Sequence, residues 1–138
     1  MKKYVGIGSI IVLVLFISSV VVAQQPDDKD YDKYLIKCLK DENIGVRTSA
    51  AQLLGDRKVE AAVKPLLKML KSEKRYCARL VAALALYKIG DEKAISALEK
   101  CACKDKCKTV RRVTTAIVQE MQKIQLAQKE KAKQVGSQ

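Results

Sequence analysis

Val46-Arg47-Thr48-Ser49-Ala50-Ala51-Gln52-Leu53-Leu54 returns as Ala78-Arg79-Leu80-Val81-Ala82-Ala83-Leu84-Ala85-Leu86 and again as Val110-Arg111-Arg112-Val113-Thr114-Thr115-Ala116-Ile117-Val118, the step from Val46 to Ala78 being the same as that from Ala78 to Val110. Arg47, Arg79 and Arg111 coincide in all three. The same step pairs Ala62-Val63-Lys64-Pro65-Leu66 with Ala94-Ile95-Ser96-Ala97-Leu98, and a one-residue adjustment sets Leu35-Ile36-Lys37-Cys38-Leu39 on Leu66-Leu67-Lys68-Met69-Leu70. Self-similarity with a period of this size is the signature of a repeat architecture, in which one supersecondary unit is copied along the chain.

Within each unit the apolar residues fall at helical spacing. Leu35, Cys38 and Leu39 match Leu66, Met69 and Leu70, while Ala50, Leu53 and Leu54, or Ala82, Ala85, Leu86 and Ile89, mark a second helix. These are i, i+3, i+4 patterns, and the alternation of a strand is absent from them. Alanine is the strongest helix former, and its small side chain lets helices approach closely. Gly55 and Gly90 stand where helices are expected to stop, Asp56 and Asp91 follow as caps for the next helix, and Pro65 is expected to bend its helix. The reading gives helices near 29–40, 45–56, 59–71, 75–89, 91–102 and 108–130, the last fraying into 129–138. A single helix pair cannot bury its apolar face alone, so three pairs stack into an all-α, short right-handed α-solenoid over 30–126, ahead of a polar tail over 127–138.

Val-Arg-x-x-Ala-Ala-x-Leu-Leu-Gly-Asp at 46–56 and Ala-Arg-Leu-Val-Ala-Ala-Leu-Ala-Leu-Tyr-Lys-Ile-Gly-Asp at 78–91 resemble the HEAT-like repeats first named from phycobilisome lyases. The resemblance spans about Asp30 to Ile124 and implies the solenoid fold, whereas it says little of function, because such repeats serve lyases, hydroxylases and many scaffolds. The HEAT-like hydroxylases that resemble deoxyhypusine hydroxylase hold iron with His-Glu pairs, and this chain has 0 histidines. The third unit departs from the pattern, with Thr114-Thr115 in place of Ala-Ala and no closing Gly-Asp, which suits a terminal capping repeat.

The beginning of the chain reads as a targeting segment. Lys2 and Lys3 precede an uncharged run from Tyr4 to Ala23 that closes on Val21-Val22-Ala23, as a secretory signal does before cleavage. Residues 1–23 are therefore expected to direct export, with 24–29 as a linker; the alternative is an uncleaved membrane anchor, since about 20 apolar residues span a bilayer. Removing Lys2 and Lys3 from the 27 basic residues leaves 25 against 15 acidic ones, a net charge of +10. The excess grows toward the C-terminus and favours acidic partners: a protein, a phosphate-bearing polymer or an anionic lipid face. It also serves solubility.

Two charged columns follow the repeat. Glu42, Glu73 and Asp105 recur five or six positions before Arg47, Arg79 and Arg111, so each arginine is expected to find a carboxylate in its own or the adjoining unit and form a structural ladder. Lys37, Lys68 and Lys100 recur once per unit on the helix expected to line the concave face, and with Lys64 they form the candidate binding surface. Such a column is equally a solvated charged face.

Five cysteines are many for a chain this short. Cys77, Cys101, Cys103 and Cys107 are placed at one end of the stack, where an oxidising compartment would join them as two disulfides of undetermined connectivity. A four-thiolate metal site is the rival, but Cys-x-Cys-x-x-x-Cys lacks the Cys-x-x-Cys pairs of structural zinc, so no metal is expected. Cys38 aligns with Met69 and is expected to be a buried free thiol.

Other chemistries are excluded residue by residue. Asp28-x-Asp30-x-Asp32 begins like a calcium loop, yet Lys33 and Leu39 stand where Gly and the bidentate Glu belong. There is no glycine-rich phosphate loop, and without histidine no Ser-His-Asp or Cys-His nucleophile system can form. After residue 23 the aromatics are Tyr31, Tyr34, Tyr76 and Tyr87, too few to stack nucleic-acid bases. The expectation is an exported, non-catalytic binding module that needs no cofactor and recognises an acidic protein or other anionic partner. The alternatives are a thiol redox or metal-binding protein working through Cys77, Cys101, Cys103 and Cys107, and a peripheral protein on an anionic membrane.

Overall fold

The computed structural model describes Asp28–Val135. The expected export segment 1–23, most of the linker and residues 136–138 lie outside the described residues. Backbone contacts divide the chain into Met1–Tyr31, described only in the opening of the first helix, and Asp32–Gln138, which holds the helix packing and the clefts below.

The described residues are helical with no strand, in the order α1 (Asp28–Cys38), α2 (Ile44–Asp56), α3 (Val63–Ser72), α4 (Tyr76–Ile89), α5 (Ile95–Lys104) and α6 (Lys108–Val135). This is the expected all-α repeat solenoid. In one layer α4 packs against both α2 and α6; α3 and α5 lie on α4 and α6 as a second layer, whose own helices stand further apart. The alanines make the close layer possible: Ala50, Ala51, Ala82, Ala83 and Ala85 are all buried. Leu54 and Leu86, like Leu66 and Leu98, are fully buried at positions one repeat apart, so adjacent units supply the same leucines to the core, with Val118 in the third unit at the place of Leu54 and Leu86. Burial of each stabilises the fold by about 1.5–3 kcal/mol.

The helix ends correct part of the sequence reading. Gly90 does end α4 in the left-handed conformation, at φ 78°, with its N–H on the Leu86 carbonyl. Gly55, however, lies inside α2 and is buried. That helix is closed by Lys58, at φ 53°: Lys58 N–H returns to the Gly55 carbonyl and Val59 N–H to the Leu54 carbonyl, a Schellman closure. Lys58 and Gly90 stand one repeat apart, so the strict period pairs them, and the matching Gly-Asp dipeptides are out of register. Asp91 caps the next element as expected, accepting Lys93 N–H at 2.8 Å, but Asp56 is the last residue of α2 and pairs with Lys88 of the next unit.

Short 3-10 turns, Glu60–Ala62 and Glu92–Ala94, lead into α3 and α5. Pro65 is the third residue of α3, where its missing N–H has no intrahelical acceptor to leave unpaired. The 3-10-to-α junction is the same in the next unit, where Ala97 stands in its place, so proline is not its cause. The last helix runs on to Val135, through residues expected to fray; its buried side chains end at Met121, and Ile124 and Leu126 are exposed.

Candidate functional site

The three repeated arginines sit in the first turn of α2, α4 and α6, and the turns before these helices are built to receive them. Nη1 of Arg47 donates to the carbonyls of Asp41 (2.7 Å) and Glu42 (2.9 Å), tying down its own turn. Its Nε and Nη2 reach the Glu73 carboxylate of the next unit at 2.6 and 3.1 Å. Arg79 repeats the arrangement: Nη1 on the carbonyls of Glu73 and Lys74, both 2.9 Å, and a bidentate pair with Asp105 at 2.7 and 2.7 Å. Both partners are well sequestered, with side-chain exposure of 11% and 6%. The hydrogen bond from Arg79 is the main cause that holds the Asp105 carboxyl below the usual carboxylate range, aided by the N–H of Cys107, and Asp105 in turn raises Arg79. The expected ladder is present for Arg47 and Arg79, on the acidic register Asp41, Glu73, Asp105, with Glu42 contributing its carbonyl; Arg111 bonds the Asp105 carbonyl and meets no carboxylate among the described residues.

Each completed rung lies in a cleft between adjacent units of the open layer. The first, of about 280 Å³, is lined by Leu39, Lys40, Asp41, Arg47, Pro65, Lys68, Met69, Ser72 and Glu73. The second, of about 590 Å³, holds Arg79 and Asp105 among Lys71, Lys74, Lys100, Lys104 and Lys106. Arg47, Pro65, Lys68, Met69 and Glu73 of the first become Arg79, Ala97, Lys100, Cys101 and Asp105 of the second one repeat on, so one groove is built twice. Because each arginine is neutralised by its carboxylate, the surplus positive charge comes from the lysines. Lys68 and Lys100 are exposed and make no ion pair among the described residues.

Of the four candidate lysines, Lys68 and Lys100 thus line the clefts, whereas Lys37 and Lys64 are exposed on α1 and α3 and border neither. The column lies on the layer of more widely spaced helices, so it edges separate grooves where a continuous concave strip was expected. Sequence reasoning missed Lys74, Lys104 and Lys106. Lys74 and Lys106 carried a signal, since they too stand one repeat apart and flank the rung carboxylates Glu73 and Asp105.

The cysteines fall where the sequence placed them: Cys77 in the first turn of α4, Cys101 and Cys103 in the last turn of α5, and Cys107 just before α6, all at the end that carries the rungs. All five are free thiols, and Cys38 is only half-buried, less than its counterpart Met69. Asp105 links two of them: Cys101 Sγ donates to its Oδ2 at 3.6 Å, and Cys107 N–H to its Oδ1 at 2.8 Å. Burial first, and the Asp105 charge second, push the Cys101 thiol up to about 11. Cys107 is shifted the other way, because the N–H groups of Val110 and then Thr109 at the start of α6 favour its thiolate. Among the described residues no group of three or more His, Cys, Asp or Glu side chains is placed to hold a metal ion.

A family model for HEAT repeats matches residues 33–118, the stretch that contains both grooves and all three arginines. The chain belongs to the HEAT-repeat family. HEAT repeats generally mediate protein–protein interaction and are typically non-catalytic. The search of curated proteins gives no match.

Proposed function

We propose that this HEAT-repeat protein is an exported, non-catalytic binding module that takes an acidic protein partner along its two inter-unit grooves. The observation that carries the reading is the duplicated groove: in both copies the arginine at the floor is consumed by the fold, while Lys68 or Lys100 at the same position on the wall is left exposed. A carboxylate-bearing segment lying across the units would meet this spacing twice, and the additional Lys71, Lys74, Lys104 and Lys106 strengthen the second groove. Positive potential of this kind steers an acidic partner and sets its register more than it adds raw affinity.

Export is supported by the signal-like residues 1–23, and a chain beginning at Gln24 is the expected mature form, checked by intact mass. An oxidising compartment would favour disulfides among Cys77, Cys101, Cys103 and Cys107, in keeping with the expectation from the sequence. Capture from the exported fraction with wild type and with Lys68→Glu/Lys100→Glu tests the reading. Acidic proteins held by the first and lost by the second support it; identical capture by both contradicts it.

A further inference from the structure

The rungs join unit to unit, so among the described residues the first and third units each hold half of one. At the C-terminal end, Arg111 makes the bond to its own turn, Nη1 to the Asp105 carbonyl, just as Arg47 and Arg79 do. Its Nε and Nη2, which in the other two arginines take the carboxylate of the following unit, have no acceptor among the described residues. At the N-terminal end the position equivalent to Glu73 and Asp105 is Asp41. Asp41 is exposed and already oriented as Asp105 is: its Oδ1 accepts the N–H two residues on, from Asn43 at 2.8 Å, as Asp105 accepts that of Cys107 at 2.8 Å. Among the described residues no arginine or lysine makes an ion pair with its carboxylate, although Arg47, bonded to the Asp41 carbonyl, lies near enough to feel its charge.

We infer that Arg111 of one copy receives Asp41 of another, so that copies of this chain associate end to end through the same bidentate rung that joins the units within each copy. The occupant is argued from the molecule itself. The half-rung at the tail calls for a carboxylate carried on an interhelical turn, and the head supplies one, held by the N–H two residues beyond it as Asp105 is. The surrounding charges agree in net sign, since Lys40-Asp41-Glu42 is acidic by one charge, whereas Lys104, Lys106, Lys108 and Arg112 surround the turn before Arg111. The contact is heterologous, one end against the other, and adds copies in an open series.

The association is reversible and salt-sensitive. Thr115 is exposed at the position where Ala51 and Ala83 are fully buried, so beside the half-rung the tail presents a polar side chain where the other units present a packed alanine. Charge, which salt screens, then carries the contact.

Sedimentation of the purified protein at rising concentration tests this. Mass is expected to increase with concentration at low salt, with association weakened about tenfold or more at 0.5 M salt. Asp41→Arg and Arg111→Asp should each remain monomeric alone, and a 1:1 mixture should associate again, because each variant restores a complementary rung with the other. Asp41→Asn keeps the acceptor for Asn43 N–H while removing the charge, so it guards against a folding defect; it too should lose association with its circular dichroism unchanged. A monomer at all concentrations, or association indifferent to Asp41→Asn, overturns the inference. So does a monomer whose Arg111 instead governs binding of an acidic peptide, which would assign the half-rung to a different partner.

Discussion

Gly55 of α2 lies directly on the backbone of Ala85 in α4: a Cβ at residue 55 would stand 2.7 Å from Ala85 Cα and 3.0 Å from its Cβ. The atoms it would meet are mostly main chain, which cannot rotate away. The glycine is therefore a packing residue, and the two layer-forming helices touch there because it has no side chain.

Gly55→Ala should accordingly destabilise the protein even though alanine is the better helix former. Forced separation of packed helices costs about 1–3 kcal/mol, against a propensity gain of about 1 kcal/mol, so a net loss of stability is expected. Gly90→Ala meets open space, yet it must hold φ 78°, so it should cost about 1–2 kcal/mol for a different reason. Thermal or urea unfolding of both variants checks this; a Gly55→Ala protein more stable than wild type would refute the close approach.

The fold was legible because period and spacing are properties of the chain: the constant step between units located all six helices and paired the arginines with carboxylates of the adjoining unit. What misled was local resemblance. Gly55-Asp56 and Gly90-Asp91 look alike but differ in register; the strict period pairs Lys58 with Gly90, and the positive φ of both confirms it. The lysine column was half legible. Lys68 and Lys100 do face the grooves, but which helices stand apart to open a cleft depends on the distance between layers, which no spacing along the chain encodes.

The rungs should differ in weight along the stack. Arg79→Ala removes a bidentate pair and two turn bonds and should cost about 2–3 kcal/mol, while Arg111→Ala, with one bond to its own turn, should cost about 1 kcal/mol. Acid should act on the same rung. The Asp105 carboxyl is held low in the folded protein, chiefly by Arg79, so its contribution is present above the unfolded pKa of about 4 and lost as pH falls through the folded value. Melting temperatures between pH 6 and 2 should therefore fall more steeply for wild type than for Asp105→Asn; parallel curves would contradict the assignment.

The thiols beside this rung should differ in reactivity. With reduced protein at neutral pH, iodoacetamide should modify Cys107 well ahead of Cys101, whose thiol is pushed up to about 11 by burial and then by Asp105. Asp105→Asn should narrow the gap by removing the neighbouring charge. Peptide mapping over time reads both rates, and faster labelling of Cys101 would contradict the geometry.

The binding reading is tested most directly by titrating a fluorescent Asp/Glu-rich peptide against three proteins and following anisotropy at several salt concentrations. The proteins are wild type, Lys37→Glu/Lys68→Glu/Lys100→Glu, and Lys123→Glu/Lys129→Glu/Lys131→Glu, which makes the same change in net charge on α6 away from both grooves. Exposed lysines contribute little to stability, so all three should melt alike. If the grooves recognise acidic partners, the first variant loses binding, the second keeps it near the wild-type level, and wild-type affinity falls as salt rises. Equal losses in both variants, or binding indifferent to salt and to the Lys37, Lys68 and Lys100 changes alike, would contradict it.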